Sequence, residues 1–340
     1  MKRFIFDSID NTDYYAFELE NAYIRVVILE YGGIIQSFVD KKSGIDIVHG
    51  YANVSDYFND QDTYTGAVVG RYCNRIEKGK FALNDQEYHL CGNNNGNTLH
   101  GGKIGFNQKL FHSTIDNNQL KLTYCSPHLE EGFPGELQLC VIYEIVQNEL
   151  IFTYTVFAEE DTIFNITNHS YFSLANGDYI NNHDMKILAD EIACIDAFGQ
   201  TMDKKLNVEN TPFDFREYKL LEIALNDEHE QIKFAGGIDH HFCVRGEGLR
   251  KFLECKYYPL TLEITSDLPG FHFYTGNYLK SFMGKSNTVY KPRTGFCVET
   301  QFYPNNINNN QFPKSILKAG ERQTFQTRYK VTNQEENYEN

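Results

Sequence analysis

Residues 135–158 read G-E-L-Q-L-C-V-I-Y-E-I-V-Q-N-E-L-I-F-T-Y-T-V-F-A. Leu137, Leu139, Val141, Tyr143 and Ile145 alternate with Glu136, Gln138, Cys140, Ile142 and Glu144. A period of two, carried by β-branched and aromatic residues, fits a strand with one buried face. The polar turn Gln147-Asn148-Glu149 then leads into a second such run, which signals a meander. Working outward, similar short runs occur at 120–125, 185–188, 241–244, 251–257, 260–265, 271–275 and 295–300. Residues 22–40 read as two strands around Gly32-Gly33, and 216–225 is the best candidate for a short helix. The pattern predicts an all-β protein of packed antiparallel sheets with few short helices. No internal repeat or linker divides it. Residues 1–340 therefore read as one domain, with 332–340 as a frayed polar tail.

Composition narrows the partners. The 340 residues include 26 Phe, 23 Tyr and no Trp, and their formal net charge is −15. Aromatics at this density first fill a core, and can also stack on sugars. Phosphate-rich partners need a basic footprint, so nucleic acid and anionic membrane are poor candidates. The N-terminal M-K-R-F-I-F-D-S lacks the apolar run of a signal peptide, and no stretch suits a membrane span. The eight cysteines show no C-x-x-C spacing and lie near no H-x(3–5)-H pattern. Reduced thiols in a cytoplasmic protein, with no zinc site, are the expectation.

Five polar stretches could carry chemistry. G-R-Y-C-N-R-I (70–76) offers Asn74 between Arg71 and Arg75, fork-shaped donors suited to hydroxyls or a carboxylate. N-T-L-H-G-G (97–102) puts His100 before two glycines, where backbone could approach a ligand. N-I-T-N-H-S-Y-F-S-L (165–174) places His169 near a strand end. G-I-D-H-H (237–241) offers Asp239; His240 and His241 make a poor metal pair, since strand neighbours point to opposite faces. G-F-C-V-E-T-Q-F-Y-P-N (295–305) carries Glu299 on an apolar strand, a costly position unless it has partners. There is no G-x-S-x-G and no phosphate-binding loop. The set suits acid–base work on a polyhydroxylated substrate rather than nucleophilic catalysis.

In this order, and with P-G-F-H-F-Y-T-G-N (269–277), these stretches resemble the galactose mutarotase (aldose 1-epimerase) family over nearly the whole chain. The resemblance implies a large antiparallel β-sandwich of the galactose mutarotase-like kind, with a sugar cleft. It also implies interconversion of the anomers of a free hexose such as galactose or glucose, with no cofactor and no metal. It makes Glu299 the general base and His169 the general acid, with His100 and Arg75 in support. Asn74, Tyr171 and Asp239 fall at sugar-binding positions. His272 stands where the family usually has a substrate-contacting Gln, so the resemblance makes it sugar-binding too, with sugar preference left open. Phe302-Tyr303-Pro304 stands where it usually has His-Phe-Pro. Ordinary pKa order gives an ionised Glu299 and a protonated His169. The expected partner is a small aldose, met by a monomer or homodimer. Competing readings are a non-catalytic carbohydrate-binding sandwich, a hexose 6-phosphate mutarotase and a glycosidase using Asp239 and Glu299.

Overall fold

The structure, a computed structural model, describes residues 1–60 and 62–334. Strand makes up 48% of it, and the three α-helices are short. Two antiparallel sheets dominate. The larger has nine strands, in the spatial order 112–116, 119–126, 137–146, 149–158, 322–333, 260–266, 250–257, 184–187 and 219–220. The hairpin read from 135–158 lies within it. Leu137–Val146 pairs with Glu149–Ala158 through the two-residue turn Gln147-Asn148, so Glu149 belongs to the strand rather than the turn.

The second sheet, called here the cleft sheet, has six strands. Their order is Tyr171–Phe172, Phe296–Gln301, Gly270–Tyr274, Asp239–Val244, Ala189–Ile195 and Thr201–Asn207. Alternate residues of both sheets meet in one apolar core. Leu139, Val141, Tyr143, Phe152 and Val331 come from the large sheet, and Phe242, Phe271, Phe273, Phe296 and Val298 from the cleft sheet. Phe252 meets Phe271 with ring centroids 6.0 Å apart, and Tyr329 meets Phe172 edge-on at 4.9 Å. Aligned faces of this kind are the packing of a β-sandwich.

A four-stranded sheet covers residues 2–40. Its last two strands, Ile24–Leu29 and Ile35–Asp40, flank the expected glycines. Gly32 has φ +64°, and a Cβ there would lie 2.5 Å from the Asn107 carbonyl oxygen, so the tight bend requires glycine. Two strands precede this pair: Thr12–Glu20, where Tyr15, Phe17 and Leu19 alternate with Ala16, Glu18 and Glu20, and Lys2–Ile9, which carried no clear alternation in the sequence. Lys2–Ile9 is an edge strand with no fully buried residue, so little of its pattern is set by burial. The helix expected at 216–225 is confined to Leu221–Leu225, with Lys219–Leu220 forming an edge strand. The tail expected from 332 is corrected at its start. Thr332 and Asn333 pair with Thr261 and Leu260, while 335–340 lie outside the described residues.

Candidate active site

The outward face of the cleft sheet is polar and buried. Strand register sets its side chains in rows. One row runs His241, His272, Glu299 across three strands; the next runs Asp239, Tyr274, Cys297, Tyr171 across four. Loops then close over these rows. A cavity of about 310 Å³ is lined by Asn74, Arg75, His100, His169, Tyr171, Asp239, His272 and Glu299, with Tyr64, Asn94, Tyr274 and Tyr278 at its walls and mouth. All eight residues expected at the site therefore converge. A wider groove of about 680 Å³ beside Arg3, Glu30 and His112 has no comparable acid–base cluster.

His169 Nε2 lies 3.5 Å from Glu299 Oε1, long for a hydrogen bond but close enough to share a substrate atom. The backbone N–H of His169 donates to Ala67 O at 2.9 Å, and its carbonyl accepts from Gly66 N–H at 2.9 Å. Its Nδ1 faces Cys297 Sγ at 3.6 Å. These contacts hold the ring over Glu299, whose Oε2 is buried without a partner. His100 Nδ1 accepts the backbone N–H of Asn74 at 3.2 Å. The neutral ring must then carry its hydrogen on Nε2, as a donor. Arg75 Nε donates to Asn94 Oδ1 at 3.2 Å, fixing the guanidinium at one wall.

Tyr64, Asn74 and His100 hold left-handed backbone, with φ of +55°, +60° and +51°. Such conformations cost about 1–3 kcal/mol each and cluster where a site dictates geometry. The glycines after His100 correct one expectation. A Cβ on Gly101 would sit 1.9 Å from the Gly70 carbonyl oxygen, so this glycine admits another stretch of chain rather than a ligand. Arg71 also departs from its reading as a substrate donor. It is buried away from the cleft and donates to the carbonyls of Ser126, Pro127, Pro134 and Gly135. His240 and His241 do face opposite ways: His240 reaches Phe213 in the core at 4.7 Å, and His241 lies against Tyr303 at 4.6 Å.

Electrostatics corrects the expected charges. Burial pushes His169 down to about 4 and raises Glu299 well above the usual carboxylate range; Asp239 adds to that rise and Arg75 opposes it. Both shifts favour uncharged groups. That runs against the ionised Glu299 and protonated His169 expected from free side chains. Burial also pushes His100 well down, assisted by His169. Asp239 goes the other way. Burial alone would raise it, but the hydrogen bond from His272 and the charges of His272 and Arg75 hold it down at about 2.

His100, His169 and Glu299 have ligand atoms within 4.8 Å of one another, and are the group among the described residues that could hold a metal ion. Two histidines and a carboxylate suit iron or zinc, yet the same three groups suffice for proton transfer. Of the residues at the walls, sequence reasoning missed Tyr64, Asn94, Tyr274 and Tyr278. Tyr274 lay inside a quoted motif; Asn94 lay in an Asn-rich loop, where nothing separates a ligand-facing amide from a turn residue.

The comparisons with known proteins give the family. The family model for aldose 1-epimerase matches residues 15–330. The chain is 37% identical over 325 residues to the galactose mutarotase of Homo sapiens, covering 93% of each. It is 30% identical over 284 residues to the aldose 1-epimerase of Escherichia coli K12, covering 80% of this chain and 81% of that one. The crystal structure of galactose 1-epimerase from Lactobacillus acidophilus superimposes with a TM-score of 0.87 at 26% identity, over 98% of each chain. With its β-sandwich, its buried acid–base cleft and a match from Tyr15 to Lys330, the chain belongs to the aldose 1-epimerase family.

Proposed function

We propose that the chain interconverts the α and β anomers of a free hexose such as galactose or glucose, with Glu299 and His169 moving the protons. The observation that carries this reading is the buried Glu299–His169 pair, 3.5 Å apart and open to the cavity. Glu299 takes the proton from the O1 hydroxyl. The C1–O5 bond breaks, C1=O1 forms, and O5 takes a proton from His169. The aldehyde carbon rotates, O5 attacks its other face, and both protons return. No electrons change hands, so acid–base chemistry alone balances the step. Such catalysis contributes about 10²–10⁴-fold per group, and correct placement adds more.

One proton serves the pair throughout. Bound sugar hydroxyls and the Arg75 charge stabilise the carboxylate, so that His169 holds the proton at the start. Ring opening leaves it on Glu299 with His169 neutral. That is the distribution burial favours, so the site assists the uphill step to the open chain. His100 Nε2–H and Arg75 donate to ring oxygen or neighbouring hydroxyls. Asn74, Tyr171 and Asp239 orient the ring.

Charge in the cleft argues against a hexose 6-phosphate. Asp60, Asp62 and Asp239 line it against Arg75 and Lys280, a poor setting for a dianion. The reading takes the chain as one domain, acting as a monomer or homodimer in a reducing compartment such as the cytoplasm. No helix among the described residues is long and apolar enough to cross a membrane, and all eight cysteines are unpaired. Polarimetry on freshly dissolved α-D-galactose and α-D-glucose is the direct test, with galactose 6-phosphate and an aryl galactoside as controls. Acceleration with the free hexoses alone is expected. Hydrolysis of the glycoside, or a preference for the phosphate, would overturn the reading.

A further inference from the structure

Glu299 and His169 belong to two parts of the chain that are bonded separately. Glu299 lies on strand Phe296–Gln301, fixed along one side by a ladder to Gly270–Tyr274. His169 lies on a strap, 165–172, whose middle bonds elsewhere. Thr167 and Asn168 pair with Val69 and Val68, and the backbone of His169 is spent on Gly66 and Ala67. The ladder between the strap and the Glu299 strand covers Tyr171 and Phe172, opposite Cys297 and Phe296. Two residues back from Tyr171 and two on from Cys297, His169 stands across from Glu299. One attachment is a hinge, which leaves the angle between the two parts open. The second attachment is Asn165. Its Nδ2 donates to Phe302 O at 3.1 Å, and its Oδ1 accepts from Phe302 N–H at 2.9 Å. Phe302 follows directly on the Glu299 strand. A side-chain amide thus makes both bonds that the backbone of a ladder neighbour would make.

The backbone of Asn165 is used as fully. Its N–H donates to Arg71 O at 3.0 Å, and its carbonyl accepts from Cys73 N–H at 2.7 Å. The stretch 71–73 runs straight on into Asn74 and Arg75. All four polar groups of this 0%-exposed residue are therefore engaged, and they join the segments that carry the acid, the base and Arg75. Two further bonds tie the Arg75 segment to residues beyond Glu299, from Cys73 Sγ to Gln301 Oε1 at 3.2 Å and from Tyr72 OH to Asn306 Oδ1 at 2.7 Å. Neither involves the strap. We propose that Asn165 is a positioning residue, whose amide sets the separation of His169 and Glu299 by pinning the strap to the end of the Glu299 strand. This rests on the acid–base reading above and deepens it. Asn165 is not among the residues lining the cavity, so it acts through the pair rather than on the sugar. A misplacement of about 1 Å in such a pair can cost about 10²-fold in rate.

The experiment compares wild type, Asn165→Ala, Asn165→Asp and Leu139→Ala in galactose mutarotation. kcat and KM are measured separately, per folded molecule, at a temperature where each protein is folded. Asn165→Ala removes both bonds to Phe302. It is expected to lower kcat by about tenfold or more while KM stays within about threefold, because the sugar-binding side chains keep their places. Leu139→Ala loses stability in the core and should keep its kcat, which separates positioning from stability alone. Asn165→Asp keeps the acceptor for Phe302 N–H. At about pH 8, far above the ordinary carboxyl value of about 4, it has no hydrogen for Phe302 O. Gln301 Nε2 still reaches that oxygen at 3.2 Å, so a smaller fall in kcat is expected, of about threefold or more. The proposal is overturned if folded Asn165→Ala keeps kcat within about twofold of wild type, or if its KM rises as much as its kcat falls. If Asn165→Ala does not fold, Asn165→Asp decides, and an unchanged kcat there overturns the proposal. A wild type that fails to accelerate mutarotation would instead overturn the function. Crystal structures of wild type and Asn165→Asp would then decide the role of Asn165. A changed separation between His169 Nε2 and Glu299 Oε1 supports it, and an unchanged one overturns it.

Discussion

The strands Leu137–Val146 and Phe296–Gln301 use the same alternation to different ends. In the first, Leu137, Leu139, Val141 and Tyr143 are buried, while Gln138 is exposed and Cys140, Ile142 and Glu144 are partly exposed. In the second all six residues are buried. Phe296 and Val298 join the core, and Thr300 Oγ1 meets Thr327 Oγ1 of the large sheet at 2.7 Å. Cys297, Glu299 and Gln301 point to the other side. A strand that alternates apolar with solvated polar residues is stabilised on both faces. A strand that buries a carboxylate on its second face bears a desolvation cost, which only a ligand or an opposing charge relieves. One strand builds the sandwich, and the other gives up stability for a site.

The sharpest way to break this contrast is to remove charge-bearing groups from the cleft. Glu299→Gln and His169→Gln should each lower kcat by about 10²–10⁴-fold, equivalent to about 3–5 kcal/mol of barrier. Polarimetry reads the rate, and near-wild-type turnover in either variant would sink the assignment. Glu299→Gln should also melt at or above the wild-type temperature near neutral pH. The folded-state value of Glu299 is raised, so its ionisation destabilises the fold as pH climbs above the ordinary carboxylate range. A clear fall in melting temperature would mean that the carboxylate is a structural partner.

The opposite cut is made in the large sheet. Leu139→Ala should cost about 2–5 kcal/mol of stability, read from urea unfolding, while the folded fraction keeps its kcat. A selective loss of kcat would show that the two faces are coupled.

Acid should attack the cleft side and its surroundings. Burial depresses His169 and His183 to about 4, and His49 and His240 to about 3. Depressed values contribute stability that is complete above the free-histidine range near 6.5 and is lost as pH falls towards 4 and 3. Each histidine contributes up to about 1.4 kcal/mol per pH unit in that window. Urea midpoints should therefore fall from pH 7 to pH 5, and a flat profile would contradict the burial of these rings. The smallest effect belongs to the solvated face of the hairpin. Gln138→Thr should change stability by less than about 0.5 kcal/mol and leave turnover unaltered. A larger change in either would show that this face has a role beyond solvation.

Legibility followed the same division. The hairpin at 135–158 could be read because water on one side and core on the other impose a period of two. Strand 271–275 could be read as a strand, yet nothing local said that His272 would meet Asp239, 33 residues away in sequence. Arg71 and Arg75 looked alike in G-R-Y-C-N-R-I. Their fates differ because one guanidinium is enclosed by backbone carbonyls from 126–135 while the other opens into the cavity. The glycines after His100 suggested a ligand, whereas Gly101 makes room for Gly70.

The sequence by itself determined the all-β class, the positions of most long strands and the six ordered motifs that converge on one cleft. These rest on periodicity and residue chemistry, which are local properties. Only the tertiary structure decided which polar groups lie within reach of one another, that burial raises Glu299 and lowers His169, and that His272 is tied to Asp239. Those outcomes depend on burial and on contacts between distant segments, since a side chain's proton affinity is set by the solvent it has lost and the charges it faces.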